Sequence, residues 1–143
     1  MMSADMKAYH NVVGDVMEYL LTRTEACEAM GIGRTKLMLD PGLGFAKDVS
    51  GNLELSRGLA ELTGHGIPVL VAGSRKGYIG KVLGDLPPEE RLEGTMALSA
   101  AAVFAGTQMV RVHDVKENVR LIRMLERFYH AGSLCGPWQQ PRG

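Results

Sequence analysis

The stretch IPVLVAGSRK at residues 67–76 decides the fold class, because an apolar run ends there in three polar side chains. The runs LMLD at residues 37–40 and MVRVH at residues 109–113 have the same form. Each run predicts a short buried strand, and a helical pattern follows each of them. Active sites of α/β folds lie at the carboxyl ends of parallel strands, where these polar groups would also lie. The repetition therefore predicts an enzyme, or a part of one.

Helical patterns alternate with the three predicted strands in the order α-βα-βα-βα. Four main helices are predicted at residues 11–30, 50–63, 93–104 and 114–128, and the loop up to residue 83 has some helical character. This order is typical of an α/β protein with a parallel sheet and helices outside it. Three strands cannot close a barrel, and a complete (β/α)8 barrel usually takes about 250 residues. We therefore expect the later part of a larger fold.

Local signals predict the ends and faces of these helices. Ser50 or Asn52 is the expected N-cap of the second helix, and Gly31 is expected to end the first. Asp114 with Glu117 resembles a capping box at the start of the last helix. That helix carries an apolar stripe that we expect to face the core, consisting of Val115, Val119, Ile122, Leu125 and Phe128.

The composition is that of a globular chain without an overall charge. Lys and Arg number 16, as do Asp and Glu, so no global field attracts nucleic acid or an anionic membrane. No apolar run approaches the roughly 20 residues that span a bilayer, and the first residues lack the apolar segment of a signal peptide. Two cysteines without metal-ligand spacing, Cys27 and Cys135, are expected to be reduced thiols. We expect a cytoplasmic protein with no nucleic-acid or membrane partner.

The polar side chains at the first two strand ends each have a ligand-binding and a structural interpretation. Asp40 either accepts two parallel hydrogen bonds from a planar, guanidine-like ligand edge or caps a turn before Pro-Gly. Arg75 and Lys76 either face an anion or polar ligand at the end of a buried strand or point into solvent from a loop. The spacing alone leaves these alternatives open.

Two donors follow the third strand. Arg111 and His113 alternate with valines, so they share one face of the strand. Two donors that face the same way suit a phosphate or diphosphate. His113 also has a structural interpretation, a hydrogen bond to a neighbouring loop, and no sequence signature of a catalytic triad accompanies it.

Three motifs together resemble the dihydropteroate synthase family: LDPGLGFAK at residues 39–47, GSRKGYIG at 73–80 and RVHDV at 111–115. They occur in the family's order and with family-like spacing, and ERLEGT at residues 90–95 is similar as well. The resemblance covers about residues 10–128. It implies the carboxyl-terminal part of a TIM (β/α)8 barrel, with about three parallel strands and four main helices.

The same resemblance implies an activity and its binding residues. The family condenses 6-hydroxymethyl-7,8-dihydropterin diphosphate with 4-aminobenzoate in folate biosynthesis, and it is the target of sulfonamides. Asp40 would bind the amino-pyrimidine edge of the pterin, and Lys76 would bond its ring acceptors. Ser74 would contact the aminobenzoate carboxylate, with Arg75 shaping the same loop.

The implied reaction begins with departure of the diphosphate. Arg111 would pack over the pterin and hold the diphosphate together with His113, and the amine would attack the resulting pterin cation. Lys76, Arg111 and His113 are the implied catalytic residues. Mg²⁺ would help the diphosphate to leave, and it would be bound mainly through the diphosphate and through the family's amino-terminal half.

That amino-terminal half, with its Asn-containing first strand and its TPDSFS-type loop, has no counterpart in this sequence. We therefore expect a partial barrel domain at residues 1–130 with a flexible tail at 131–143. The isolated chain is expected to be inactive, or to need a complementary amino-terminal half as its partner. A homodimer through the last helices is also expected. Two alternatives remain, a non-catalytic pterin- or phosphate-binding remnant and a pterin-dependent corrinoid methyltransferase, although the SRK and RVHD motifs favour the synthase over the latter.

Overall fold

A computed structural model of the chain describes residues 11–129. The predicted tail at 131–143 and Cys135 lie outside the described residues, whereas Cys27 is a half-buried free thiol. None of the helices in the described range combines the length and the hydropathy that a membrane-spanning helix requires.

Six α-helices and two short strands alternate along the described part of the chain. The helices are α1 (Val12–Ala29), α2 (Val49–Arg57), α3 (Leu59–Thr63), α4 (Gly77–Val82), α5 (Leu92–Phe104) and α6 (Val115–Tyr129). The strands are β1 (Leu70–Val71) and β2 (Met109–Val110). Two 3₁₀ turns, Arg34–Lys36 and Pro88–Glu90, precede the Leu39 segment and α5.

Three strand segments lie side by side and run parallel, which confirms the predicted α/β class. β1 pairs with β2, with Leu70 opposite Met109 and Val71 opposite Val110. On the other edge of β1, Leu39 forms a parallel bridge with Val69. The predicted strand at residues 37–39 is therefore reduced to a single bridge, because the 3₁₀ turn at Arg34–Lys36 directly precedes it.

The core lies between the segments and the helices that pack on them. It is built from α1, from the leucines of α2 and α3, from alternate residues of the β1 region and from α5. Its largest fully buried members are Leu43, Leu55, Leu59, Leu62 and Val69. Burying one such side chain stabilises the fold by about 1.5–3 kcal/mol relative to leaving it in water.

The first two helix ends agree with the sequence only in part. Gly31 follows α1 with φ +84°, as predicted for a helix-ending glycine. The N-cap of α2 is Asp48, whose Oδ1 accepts a hydrogen bond from the Gly51 N–H at 2.7 Å, so the prediction of Ser50 or Asn52 is wrong. The predicted second helix is also divided in two at Gly58, which ends α2 and begins α3.

The apolar stripe of α6 is not buried in the core, contrary to the prediction, since Ile122 and Leu125 are only half-buried and the other three residues are exposed. Val115 is 58% exposed and Phe128 62% exposed, because within residues 11–129 no element covers this side of the helix. The first three stripe residues, Val115, Val119 and Ile122, line an open apolar groove together with β2 and Val112. The buried residue of α6 is Asn118, whose amide oxygen accepts a 2.6 Å hydrogen bond from Ser99 of α5.

Gly58 has no space for a side chain, and this gives a test of the packing between α1 and α2. A Cβ at Gly58 would lie 2.5 Å from a methyl carbon of the buried Val13. We expect Gly58→Ala to lower the free energy of unfolding by about 1–3 kcal/mol, since a well-packed core must shift to admit it. Urea unfolding followed by far-ultraviolet circular dichroism measures this change.

The matched control is Gly64→Ala. Gly64 also has a negative φ of −70°, but the nearest atom to its added Cβ is a carbonyl oxygen at 3.7 Å. We expect this variant to be as stable as the unsubstituted chain. Equal stability of the two variants would contradict the packing described between Gly58 and Val13.

Candidate active site

The carboxyl ends of the three strand segments meet at one edge of the sheet. Asp40 directly follows the Leu39 bridge, Ser74 follows β1 after two residues, and Arg111 directly follows β2. Because the segments are parallel and in register, their following loops lie next to one another. The sequence prediction that these polar residues share one site edge is therefore supported by the backbone pairing.

Ser74 joins the loop after β1 to the loop after β2. Its side chain is buried, and its Oγ accepts a hydrogen bond from the backbone N–H of His113 at 3.1 Å. The same Oγ lies 3.0 Å from Nδ1 of the His113 ring. The structural interpretation of His113 thus holds for one ring nitrogen, whereas the rest of the exposed ring is open to a ligand.

Arg75 does not point into solvent. Its guanidinium donates two hydrogen bonds to the carboxylate of Asp114, from Nε at 3.0 Å and from Nη2 at 2.5 Å. Its backbone N–H donates to the Thr95 hydroxyl at 3.0 Å, and its carbonyl oxygen accepts from Nη1 of Arg91 at 2.9 Å. These contacts hold Arg75 at φ +56°, in the left-handed region, so the residue shapes the loop.

The Arg75–Asp114 pair also changes two protonation equilibria. The hydrogen bond from Arg75 holds the pKa of the Asp114 carboxyl below its ordinary value, and the nearby positive charge acts in the same direction. The hydrogen bond to Asp114 raises the pKa of Arg75. Both groups are therefore charged throughout the neutral range. The last helix begins directly after Asp114, as predicted, but both oxygens of the Asp114 carboxylate accept hydrogen bonds from Arg75.

Lys76 joins the loop after β1 to the glycine-rich loop after Leu39. Its Nζ lies 3.8 Å from the centroid of the Phe45 ring, a cation–π contact. Its methylene stem passes over Gly44, where an added Cβ would lie 2.6 Å from Cδ of Lys76. Gly44 has φ +79° as well, so both the backbone conformation and the space favour glycine there.

Asp40 has the turn-forming role that was one of its two interpretations. Its Oδ1 accepts a hydrogen bond from the Gly42 N–H at 2.8 Å. No hydrogen bond from residues 11–129 reaches Oδ2, so this oxygen is open to a ligand. The exposed carboxylate can therefore stabilise the turn and still bind a donor.

The side chains of Lys47 and Asn52 form hydrogen bonds with the backbone of the glycine-rich loop. The Lys47 ammonium donates to the carbonyl oxygens of Gly42 at 3.0 Å and Phe45 at 3.2 Å. Burial lowers the pKa of Lys47, an effect that the Asp40 charge opposes. The Asn52 side chain accepts from the Gly44 N–H at 2.6 Å and donates to the Asp48 carbonyl oxygen at 2.7 Å.

Arg111 stands apart from this network. Its side chain is exposed and makes no hydrogen bond or ion pair with any other residue of the described range 11–129. The structure thus links Ser74 to His113 directly, Arg75 to the neighbouring Asp114, and Lys76 to Phe45. Asp40 and Arg111 lie on the same edge, but their side chains make no hydrogen bond or ion pair to the other site residues.

The described part of the chain supplies no metal centre of its own. Within residues 11–129 no group of three His, Cys, Asp or Glu side chains lies close enough together to hold a metal ion. Asp114, which follows His113 in the chain, is already engaged by two hydrogen bonds from Arg75. These residues therefore form no all-protein cage for Mg²⁺, whereas a Mg²⁺ ion bound through a substrate diphosphate needs only one or two carboxylates.

Four supporting residues were missed or given another role from the sequence: Asn52, Arg91, Thr95 and Asp114. Asn52 and Asp114 carried capping signals, and those signals concealed their contacts with a neighbouring loop. Arg91 and Thr95 lie in the ERLEGT motif at residues 90–95, which was noted only as a similarity. Because their partner, Arg75, lies 16 to 20 residues away, no local pattern predicts these bonds.

Comparison with known proteins identifies relatives for most of the chain. The family model for pterin binding enzymes matches residues 1–113. The dihydropteroate synthase of Escherichia coli (strain K12) is 42% identical over 118 residues, which cover 82% of this chain and 42% of that protein. That of Bacillus subtilis (strain 168) is 40% identical over 126 residues, 88% of this chain and 44% of that protein. The chain thus spans less than half the length of these curated relatives.

Solved structures show the same likeness in three dimensions. Yersinia pestis dihydropteroate synthase with a pterine–sulfa conjugate has a TM-score of 0.83 at 38% identity, and the match covers 89% of this chain and 50% of that one. Xanthomonas albilineans dihydropteroate synthase with 4-aminobenzoic acid has a TM-score of 0.83 at 34% identity, covering 95% of this chain and 48% of that one. These matches confirm the predicted fold class, part of a pterin-binding α/β barrel.

The Asp114 carboxylate gives the chain a pH-dependent contribution to stability. Because its pKa is lowered on folding, the contribution is complete above the ordinary pKa of 3.8 and is lost as the pH falls through the lower folded value. We expect Asp114→Asn to be less stable than the unsubstituted chain at pH 7, with a smaller difference at about pH 3. Urea unfolding at both pH values measures it.

Asp85→Asn is the matched control, since Asp85 pairs with Lys81 on the exposed surface of α4 and the following turn. Exposed pairs contribute about 0–1 kcal/mol, so this variant should follow the unsubstituted chain at both pH values. A stability difference for Asp114→Asn that is the same at pH 7 and pH 3 would contradict the assigned role of Asp114.

Proposed function

Because the chain belongs to the family of pterin binding enzymes, we propose that it supplies the carboxyl-terminal half of a dihydropteroate synthase. The reaction would join 6-hydroxymethyl-7,8-dihydropterin diphosphate and 4-aminobenzoate to give 7,8-dihydropteroate and diphosphate. The observation that carries this proposal is the meeting of three parallel segment ends, where Ser74 contacts His113 and Lys76 contacts Phe45. This edge presents both the carboxylate and the cations that such substrates require.

The pterin would lie against the loops after Leu39 and β1. Oδ2 of Asp40 would accept from the amino-pyrimidine edge, while Oδ1 keeps its bond to Gly42. Lys76 would donate to the ring acceptors, and its position over Phe45 holds the ammonium at the loop surface. The aminobenzoate carboxylate would lie near Ser74, with Arg75 maintaining the shape of the loop.

The chemical step would break the bond between the pterin methylene carbon and the diphosphate oxygen, which leaves with the electron pair. The aromatic amine would then form a carbon–nitrogen bond to the methylene carbon and release one proton to solvent. Arg111 and His113 would face the oxygen that gains negative charge. Donors placed where charge develops are the main contribution of a protein to such a reaction.

Magnesium belongs to this proposal only through the substrate. Since residues 11–129 do not form a metal site, Mg²⁺ would be held mainly by the diphosphate and by groups from the other half of the enzyme. The roles given to Asp40, Lys76, Arg111 and His113 do not depend on it.

We propose that the complementary half docks on the open groove between β2 and α6. Met109 is 49% exposed and Val115 58% exposed, and the outer edge of β2 has no strand partner within residues 11–129. An apolar strand added there would cover both the edge and the stripe. A homodimer and a cytoplasmic location belong to the same proposal. The dimer is supported by the exposed Phe104–Tyr129 ring pair, whose centroids lie 5.0 Å apart on α5 and α6.

A non-catalytic pterin- or phosphate-binding protein is the second candidate. The open groove favours this candidate. If nothing covers the groove, the chain still has the polar side chains that bind a ligand, but it lacks a closed active site. A corrinoid methyltransferase is less well supported, since the relatives and solved structures described above are dihydropteroate synthases.

We expect dihydropteroate formation only when both halves are present. The assay combines the pterin diphosphate, 4-aminobenzoate and Mg²⁺ with this chain alone, and then with this chain co-expressed with the amino-terminal half of the Escherichia coli enzyme. Turnover that occurs in the mixture but not with this chain by itself supports the synthase proposal. Folded protein that binds the pterin in both samples but never turns it over would support the second candidate instead.

Lys76→Met tests the proposed pterin contact within the active mixture. Methionine retains most of the stem over Gly44 but removes the ammonium, so the fold should persist while a charge-assisted hydrogen bond is lost. Such bonds are worth about 1.5–3 kcal/mol, which corresponds to a loss of about 10- to 100-fold in kcat/KM. Lys81→Met, on the exposed side of α4, is the control and should retain full activity. Equal activity of the two variants would contradict the role of Lys76.

A further inference from the structure

The Ser74 hydroxyl lies in a setting that limits where its proton can go. Ser74 is 7% exposed, and Oγ has two polar neighbours, the backbone nitrogen of His113 at 3.1 Å and the ring Nδ1 of His113 at 3.0 Å. A hydroxyl has one proton to donate and two lone pairs to accept with. The backbone N–H of His113 can only donate, so it occupies one lone pair.

The hydroxyl proton therefore needs an acceptor, and the ring is the one within reach. Within residues 11–129, Ser74 makes no hydrogen bond to a carbonyl or carboxylate oxygen, and its burial keeps solvent away. If Nδ1 carried a proton, Oγ would accept twice and its own proton would be buried without a partner, which is an unfavourable arrangement. Donation from Oγ to Nδ1 satisfies every group.

We propose that Ser74 is a positioning residue that fixes neutral His113 in the tautomer with the proton on Nε2. The bond to Nδ1 sets the tautomer, since the two ring nitrogens of a neutral imidazole are one donor and one acceptor. His113 is exposed beyond this bond, so its Nε2–H is presented to a ligand. Arg111, two residues earlier in the chain, is also exposed, and its side chain makes no hydrogen bond within residues 11–129, so the two residues form a pair of donors.

Such a pair selects an anion with several oxygens, such as a diphosphate. The identity of that anion rests on the proposed function, whereas the tautomer does not. The same proton count affects the aminobenzoate site, because Ser74 has a single hydroxyl proton and His113 already accepts it. A carboxylate near Ser74 would compete with the imidazole for that proton.

The test is a long-range ¹H–¹⁵N correlation spectrum of the imidazole groups in the ¹⁵N-labelled full chain. At about pH 8.5 neutral imidazoles prevail. His113→Gln identifies the His113 signals, and exposed His65, which has no hydrogen bond within the described range, is the internal reference. We expect His113 to show an unprotonated Nδ1 and a protonated Nε2, with a tautomer ratio clearly more one-sided than that of His65.

Three variants distinguish the effect of the Ser74 hydroxyl on the His113 tautomer from a general structural effect of substitution. Ser74→Ala should bring the tautomer ratio of His113 to that of His65, and Ser74→Thr should restore the one-sided ratio because it retains a hydroxyl. Ser56→Ala, which removes a hydroxyl bonded to the carbonyl oxygen of Asn52, should leave His113 unchanged. If Ser74→Ala does not fold, the spectra of the unsubstituted chain and of Ser74→Thr still decide the question.

A ratio for His113 equal to that of His65, or a proton found on Nδ1, would overturn the proposal, as would an unchanged ratio in Ser74→Ala. Addition of inorganic diphosphate is a separate experiment that tests the proposed anion site. It should shift the Nε2 resonance of His113, and this shift should be reduced at least several-fold in Arg111→Met. A fixed tautomer without any response to diphosphate would support the role of Ser74 and count against the proposed diphosphate site.

Discussion

The two-sided pairing of residues 69–71 is the constraint from which the candidate site follows. On one edge of β1, the Leu39 N–H donates to the Pro68 carbonyl oxygen and the Leu70 N–H donates to that of Leu39, both at 2.8 Å. On the other edge, the Arg111 N–H donates to the carbonyl oxygen of Val71 at 2.9 Å. Because both pairings are parallel, all three segments end on the same side. A shift of one residue would turn the buried valines outward and separate the loops.

The loops at this edge are held by polar contacts between neighbours, and each contact joins one segment end to the next. Arg75 adopts a left-handed conformation, which costs a residue with a Cβ about 1–2 kcal/mol. Bonds from its backbone to Thr95 and Arg91, and from its guanidinium to Asp114, offset that cost. The result is a preorganised loop in which Ser74 faces His113 and Lys76 faces Phe45. Preorganised donors need little rearrangement when charge develops, which suits the proposed reaction.

The open groove beside β2 relates the partial fold to the proposed function. A sheet edge and an apolar helix face that remain exposed are sites of association. In this chain Arg111 lines the groove, and His113 follows two residues later. An element that covered the groove would therefore also exclude water from the diphosphate side of the site and strengthen the electrostatic contacts there. The partner that completes the sheet would therefore also complete the active site.

The order of elements and the residues at the segment ends could be predicted from the sequence by itself. Apolar runs, helical spacing and helix-ending glycines such as Gly31 depend on neighbours a few positions away, and so they can be read locally. The three motifs also indicated the family. Only the tertiary structure decided the contacts of Arg75 with Asp114 and of Ser74 with His113, which join residues 39 positions apart. It also decided that the α6 stripe is exposed and that Asn52 holds a loop, since spacing along a helix shows which face is apolar but not what lies against it. Local patterns follow from the chemistry of adjacent residues, whereas these contacts depend on the register of the paired segments.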